Sequence, residues 1–91
     1  VSGEGGPTIK FPKNGTEYYI DKKAPEPLQL SCEVGSDVKY VYWYINNKFY
    51  KRADAHAKEF FAPDETRIKI SCTDDKGRNT DIWVKVKYVN L

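Results

Sequence analysis

Two thiols, one imidazole, an S-x-x-K spacing and a pair of adjacent carboxylates are where this chain could do chemistry. Cys32 and Cys72 are the only cysteines, and His56 is the only histidine. A structural zinc site takes about four such ligands, so the chain has too few. Neither cysteine belongs to a C-x-x-C pair, which leaves a disulfide or two buried reduced thiols. The disulfide is the expected reading, and it goes with an oxidising compartment. Ser36-Asp37-Val38-Lys39 has the spacing of an acylating serine and its lysine. That chemistry needs Ser at a helix start, with Lys one turn on. Here the residues run from a turn into a strand, and a period of two sends Ser36 and Lys39 to opposite faces. The partner motifs S-D-N and K-T-G are absent. His56 lies in a polar stretch with no nucleophile nearby and reads as solvent-exposed. Asp74-Asp75 is short of the oxygen ligands that calcium takes, and Lys76 and Arg78 neutralise it; a solvated hairpin is expected. The residues therefore predict no catalytic, cofactor-binding or metal site.

The elements that hold these residues are strands. Val38 to Ile45 (V-K-Y-V-Y-W-Y-I) is the strongest of them, β-branched and aromatic with no Gly or Pro. Alternation gives it an inward set, Val41, Trp43 and Ile45, and an outward row, Tyr40, Tyr42 and Tyr44. Leu28 to Val34 alternates with Leu28, Leu30, Cys32 and Val34 inward. Arg67 to Cys72 places Ile68, Ile70 and Cys72 inward. Asp81 to Val89 places Ile82, Val84, Val86 and Tyr88 inward and Trp83, Lys85 and Lys87 outward. Shorter strands are read at Thr8–Phe11, with Ile9 and Phe11 on one face, and at Glu17–Ile20, Phe49–Lys51 and Glu59–Phe61. Turns fall at Asn14-Gly15, Gly35-Ser36-Asp37, Asn46-Asn47, Asp64-Glu65-Thr66 and Asp74–Arg78. Asn14-Gly15-Thr16 is also a glycosylation sequon, but the turn alone accounts for it. Arg52 to Lys58 reads as a helical turn or a loop.

Ninety-one residues make one domain. Residues 1–7, Gly-rich and polar, are read as a linker, and residues 8–91 as a single sandwich domain. A net charge of +2, with lysines spread along the chain, excludes a nucleic-acid arm or a membrane-surface patch. No apolar run approaches the ~20 residues of a membrane span. The chain begins V-S-G-E-G-G-P without an initiator Met and reads as part of a longer protein.

About seven short strands with little helix predict an all-β, immunoglobulin-like antiparallel β-sandwich. Cys32, Trp43 and Cys72 are all inward and stand in the Cys…Trp…Cys order of such domains. A bridge closing a loop of about forty residues would contribute about 4 kcal/mol in the chain-entropy account. Ile70 stands where antibody domains carry a Tyr two residues before the second Cys. The architecture is therefore immunoglobulin-like without being an antibody-family domain.

I-K-F-P-K-N-G-T (Ile9 to Thr16), V-Y-W-Y-I-N-N-K-F-Y (Val41 to Tyr50) and R-I-K-I-S-C-T-D-D-K-G-R (Arg67 to Arg78) carry a family likeness. Together they resemble the C-terminal domain of penicillin-binding protein 1C, a bifunctional cell-wall synthase. Trp43 to Asn47 and Asp74 to Gly77 match its hairpins, and the likeness runs from Pro7 onward. The resemblance implies a periplasmic domain of a Gram-negative bacterium, tethered to glycosyltransferase and transpeptidase domains. It implies a non-catalytic, cofactor-free appendage that acts in docking, scaffolding or partner binding during peptidoglycan assembly. The alternative is a carbohydrate- or protein-binding sandwich of an adhesin or glycan-degrading protein. The candidate contact face is Tyr40, Tyr42, Tyr44, Lys69, Trp83, Lys85 and Lys87, because aromatics exposed together mark contact surfaces; the alternative is cross-strand packing, in which tyrosines and lysine stems cover one another and nothing binds. Its partner would be the parent transpeptidase domain or another cell-wall protein, with peptidoglycan as a further candidate. Nucleic acid and direct membrane insertion are not expected.

Overall fold

The computed structural model describes residues 6–64 and 67–90. Eight strands follow in order: β1 (Thr8–Phe11), β2 (Glu17–Asp21), β3 (Leu28–Glu33), β4 (Tyr40–Ile45), β5 (Lys48–Asp54), β6 (Glu59–Phe61), β7 (Arg67–Asp74) and β8 (Asn79–Val89). They form two sheets, ordered β1-β3-β6 and β2-β8-β7-β4-β5. Every ladder is antiparallel except β2 on β8. That exception departs from the all-antiparallel expectation, and its cause lies at Pro12. Proline cannot continue a ladder, so the first strand breaks there. Its first half stays on β3, and its second half crosses to the other sheet and enters alongside β8 in the same direction. The crossing turn is fastened by its own residues. Gly15 takes φ +79 and donates its N–H to the Trp83 carbonyl at 2.7 Å, while Asn14 Oδ1 accepts the Trp83 N–H at 2.9 Å. Asn14 is thus a structural turn residue.

The alternation read from the sequence holds in the long strands. Leu30, Val41, Trp43, Ile68, Ile70, Cys72, Val84 and Val86 fill the space between the sheets and are fully buried. In β1 it fails halfway. A register shift between Ile9 and Phe11 leaves Ile9 buried and Phe11 44% exposed. Two segments end elsewhere than expected. β5 runs on to Asp54, so the Arg52–Lys58 stretch is strand and then a turn at Ala55-His56. Of the expected linker, residues 1–5 lie outside the described residues, Gly6 is half-buried and Pro7 is fully buried. Glu65 and Thr66 of the expected Asp64–Thr66 turn also lie outside the described residues.

Two hairpins set the geometry of the large sheet. Between β4 and β5, Asn46 and Asn47 take φ of 51° and 68°, a two-residue turn that suits the twist of a hairpin. The ladder then slips between Trp43 and Tyr44, which makes Tyr50 the extra residue of a bulge. Tyr50 turns toward the small sheet, donating its hydroxyl to the Phe60 carbonyl at 2.8 Å and meeting Phe61 edge-on at 6.0 Å.

Between β7 and β8 the expected solvated carboxylates are structural instead. Asp74 is 3% exposed. Its Oδ1 accepts the Lys76 and Arg78 N–H groups, each at 2.9 Å, and its Oδ2 accepts Arg78 Nε at 2.7 Å. Gly77 supplies the positive φ, +85. Asp75 Oδ2 reaches back to the N–H groups of Lys39 and Tyr40 at 2.9 and 3.3 Å, pinning the start of β4. Burial alone would raise the Asp74 carboxyl, but the Arg78 and Lys76 amides and the guanidinium outweigh it and hold the group below its ordinary value. A depressed folded-state value means stability that is present above the unfolded value and lost as pH falls through the folded one. Urea midpoints are therefore expected to fall as pH drops below about 4. Asp74→Asn should flatten part of that fall, leaving the share of the other depressed carboxylates. Asp74→Ala is expected to cost about 2–3 kcal/mol at neutral pH, measured by urea denaturation.

Candidate functional site

The outer surface of the large sheet is where the structure gathers the expected contact residues. β7 lies between β4 and β8, so the three outward rows are neighbours. Tyr40 and Trp83 are 45% and 43% exposed, Lys85 and Lys87 are exposed, and Tyr42, Tyr44 and Lys69 are half-buried. Register spreads them apart, however. Across β4, β7 and β8 the aligned rows read Tyr42, Thr73, Asn79 and then Tyr44, Ser71, Asp81. The tyrosines therefore face hydroxyls, an amide and a carboxylate. Trp83 sits beside Lys69, and Lys85 sits between Arg67 and Glu17, toward the β2 edge.

The face is accordingly a mosaic rather than the aromatic and basic surface that the sequence suggests. At its centre Lys69 Nζ donates to Asn47 Oδ1 at 3.2 Å and lies 3.8 Å from Asp81 Oδ2. Thr73 Oγ1 donates to Asn79 Oδ1 at 2.7 Å, and Asn79 Nδ2 to Asp81 Oδ1 at 2.8 Å. The Ser71 hydroxyl and the Asn79 amide, with Lys69 behind them, hold the Asp81 carboxyl below its ordinary value against a smaller opposing effect of burial. These groups surround an open depression of about 250 Å³, floored by Ser71 and Thr73 and walled by Tyr44, Asn47, Lys69 and Asp81. Aromatic groups stand at both ends. Tyr44 meets Phe49 edge-on at 5.7 Å and Arg52 lies 5.0 Å over the Tyr40 ring. At the far end Arg67 lies 4.6 Å over Trp83. Lys85 pairs with Glu17 at 3.6 Å, and the Tyr19 hydroxyl donates to Glu17. The Tyr19 bond is the chief cause of a lowered Glu17 carboxyl, with Lys85 and Lys87 adding to it.

Sequence reasoning left out Asn79, Asp81, Asn47, Phe49 and Glu17. Asn79 and Asp81 share the parity of Trp83, so continuing that row toward the hairpin would have found them. Phe49 had no such signal, because the Tyr50 bulge resets the parity of β5.

The cysteines do meet between the sheets, Cys32 from β3 and Cys72 from β7, but the expected disulfide is not formed. Both are free thiols, Cys32 half-buried and Cys72 buried. Cys32 Sγ is turned toward the Ala55 carbonyl at 3.8 Å. The two sulfurs are not at bonding distance. Contact with Cys32, then burial, pushes the Cys72 thiol up, while the same contact lowers Cys32. Ser36 and Lys39 are exposed in and after a turn, and His56 is exposed with its backbone N–H on Asp54 Oδ1 at 2.9 Å. Among the described residues no His, Cys, Asp and Glu group is arranged to hold a metal.

The strand order and the inward Cys, Trp, Cys set define a small all-β sandwich module of the immunoglobulin and fibronectin kind. The chain belongs to the Penicillin-Binding Protein C-terminus Family, whose model matches residues 1–86. Among solved structures it is similar to the fibronectin(III)-like modules of Clostridium thermocellum CbhA. The identity is 18% and the TM-score 0.72, over 93% of this chain and 99% of that one, a likeness of fold. A search of the curated proteins finds no match.

Two outcomes follow from this geometry. Iodoacetamide at about pH 8 should label Cys32 in the native protein and Cys72 only after unfolding, read by peptide mass mapping. Asp81→Ala removes the acceptor of the Asn79 amide and the carboxylate across the ladder from Ser71, which is 6% exposed. The variant should lose about 1 kcal/mol in urea denaturation.

Proposed function

We propose that this chain is a non-catalytic accessory domain of a periplasmic cell-wall synthase, and that it docks through the outer face of its large sheet. The proposed partner is the parent's transpeptidase domain or another protein of peptidoglycan assembly. Membership of the penicillin-binding protein C-terminus family supports the setting. The observation that carries the docking reading is the arrangement of the face. Exposed rings at Tyr40, Phe49 and Trp83 stand around a polar centre whose charges already have partners. Protein interfaces use aromatic and arginine anchors in this way, within a polar surround that needs no new ion pair. A tether to the parent keeps the local concentration high, so a modest intrinsic affinity suffices.

A second reading rests on the depression itself. Tyr44 beside Asn47, Lys69 and Asp81 offers a ring edge with amide, ammonium and carboxylate groups, which suits a glycan strand or its peptide stem.

One titration separates the readings. The isotope-labelled domain is mixed with the purified transpeptidase domain of its parent, and separately with soluble peptidoglycan fragments. Docking predicts shifts at Tyr40, Tyr42, Tyr44 and Trp83 with the protein partner. Trp83→Ala or Tyr44→Ala should weaken binding about tenfold while leaving the urea midpoint nearly unchanged. Shifts around Asp81 with fragments alone would favour the glycan reading. No response on this face to either probe would remove both.

A further inference from the structure

The large sheet has two edges, and they are unlike. The β5 edge carries Lys48, Lys51 and Arg52, is interrupted by the Tyr50 bulge and is tied to β6. Lysines and bulges of this kind are how sheet edges are kept from pairing. The β2 edge has neither. Its five residues run E-Y-Y-I-D in unbroken register with β8, and among the described residues no strand covers its other side.

The ladder fixes which backbone groups are free there. Lys85 donates its N–H to the Thr16 carbonyl at 3.1 Å, and Lys22 donates to Val89 at 2.9 Å. In a parallel ladder alternate residues bond to the same neighbour, so the even-numbered residues of β2 face β8. The N–H and C=O groups of Glu17 and Tyr19, and the N–H of Asp21, point away from it. The Asp21 carbonyl accepts Ala24 N–H at 3.2 Å.

Directly beside this edge a cleft of about 540 Å³ opens between the sheets, within the range of ordinary ligand sites. Phe11, Pro12, Tyr18, Ile20 and Leu28 supply its apolar walls, and among the described residues Asp21 and Glu26 are the charged ones lining it. The exposure of Phe11 belongs here: the register shift in β1 turns the ring out of the core and into the cleft.

We propose that the β2 edge and its cleft form a binding site for an extended polypeptide segment of a partner protein, one that carries Lys or Arg between apolar residues. The segment adds a sixth strand to the sheet. Its backbone bonds to Glu17, Tyr19 and Asp21, and its alternate side chains enter the cleft. Two carboxylates, with no cation among the described residues that line the cleft, select a basic partner. The same charges disfavour pairing of two β2 edges from two copies, which would set Glu17 near Asp21. This surface adjoins the outer face proposed for docking at Glu17 but uses different groups, the β2 backbone and the cleft, so either proposal can fail without the other.

The test uses the isotope-labelled 91-residue chain and three probes. These are an acetylated, amidated hexapeptide alternating Val and Lys, the same peptide with Glu for Lys, and a chitin oligosaccharide. The Val/Lys peptide, titrated to about 2 mM, should shift the Glu17, Tyr19 and Asp21 amides saturably and slow their exchange with deuterated water. The Val/Glu peptide should bind at least about fivefold more weakly, as should the Val/Lys peptide to the Asp21→Asn, Glu26→Gln double variant. Unchanged Trp43 and Cys72 signals in that variant establish that its core is intact. The proposal is overturned by the absence of a saturable shift or by equal binding of the two peptides. Response to the oligosaccharide alone, shifts confined to Tyr42, Tyr44 and Trp83, or self-association of the chain in place of peptide binding would overturn it as well.

Discussion

Burying the Trp43 indole decides which way every side chain of the large sheet points. Its ring is fully buried between the sheets and lies across from Cys72 on β7. Burial of a ring of that size is worth about 3 kcal/mol. A slip of one residue in β4 would exchange Val41 and Trp43 for the tyrosine row and forfeit that burial. Pairing carries the constraint outward. Once Trp43 is inward, Cys72 must be inward, and Ser71 and Thr73 must lie on the outer side of the sheet, Ser71 covered by its neighbours there. The next ladder then places Asp81 and Asn79 beside them. The polar centre of the outer face is thus a consequence of a core tryptophan two strands away.

Most of this could be read from residue types, because alternation is local and the long strands repeat it several times. The inward sets of β3, β4, β7 and β8 were legible for that reason, and with them the meeting of Cys32, Trp43 and Cys72. What could not be read depends on distances between strands or on single extra residues. Parity alone does not say how far one strand slides along another, so the tyrosines and Trp83 seemed closer than they are. Phe11 and Phe49 each lie next to an irregularity in their ladders, where one residue out of step reverses the face. The thiols were placed correctly, but their state depends on rotamer and separation, which spacing in sequence does not encode. The buried Asp74 was missed because a carboxylate among turn residues ordinarily points to water. It is held inside by bonds to a hairpin that had to form first.

The ion pairs of this molecule are local. Lys69 with Asp81 and Lys85 with Glu17 join neighbouring strands, Arg78 with Asp74 joins residues of one hairpin, and Lys51 with Glu59 links β5 to β6 of the other sheet. Apart from the buried Asp74 pair, such exposed pairs add little stability, about 0–1 kcal/mol each. Their effect is to hold long side chains in fixed places, so that the outer face presents a defined pattern and the rings at its ends stay uncovered. Arg67 and Arg52 take part by lying over Trp83 and Tyr40, which leaves each of those rings with one face occupied. A partner must then meet the exposed remainder of each ring, or displace a guanidinium to reach more.

The contrast between the two edges of the large sheet has a topological origin. β5 arrives by a hairpin, and its bulge folds Tyr50 back onto Phe60 and Phe61, closing the space between the sheets on that side. β2 arrives by leaving the small sheet at Pro12. A strand that changes sheets cannot also seal the seam it has crossed, so the space beside Phe11, Ile20 and Leu28 stays open. Filling it from within would need a larger residue at one of those three positions or a longer loop after Asp21. The chain has neither, and the Asp21–Pro27 loop instead brings a carboxylate, Glu26, to the rim. The cleft is therefore a property of the backbone path, and the side chains around it set only its charge and the shape of what can enter.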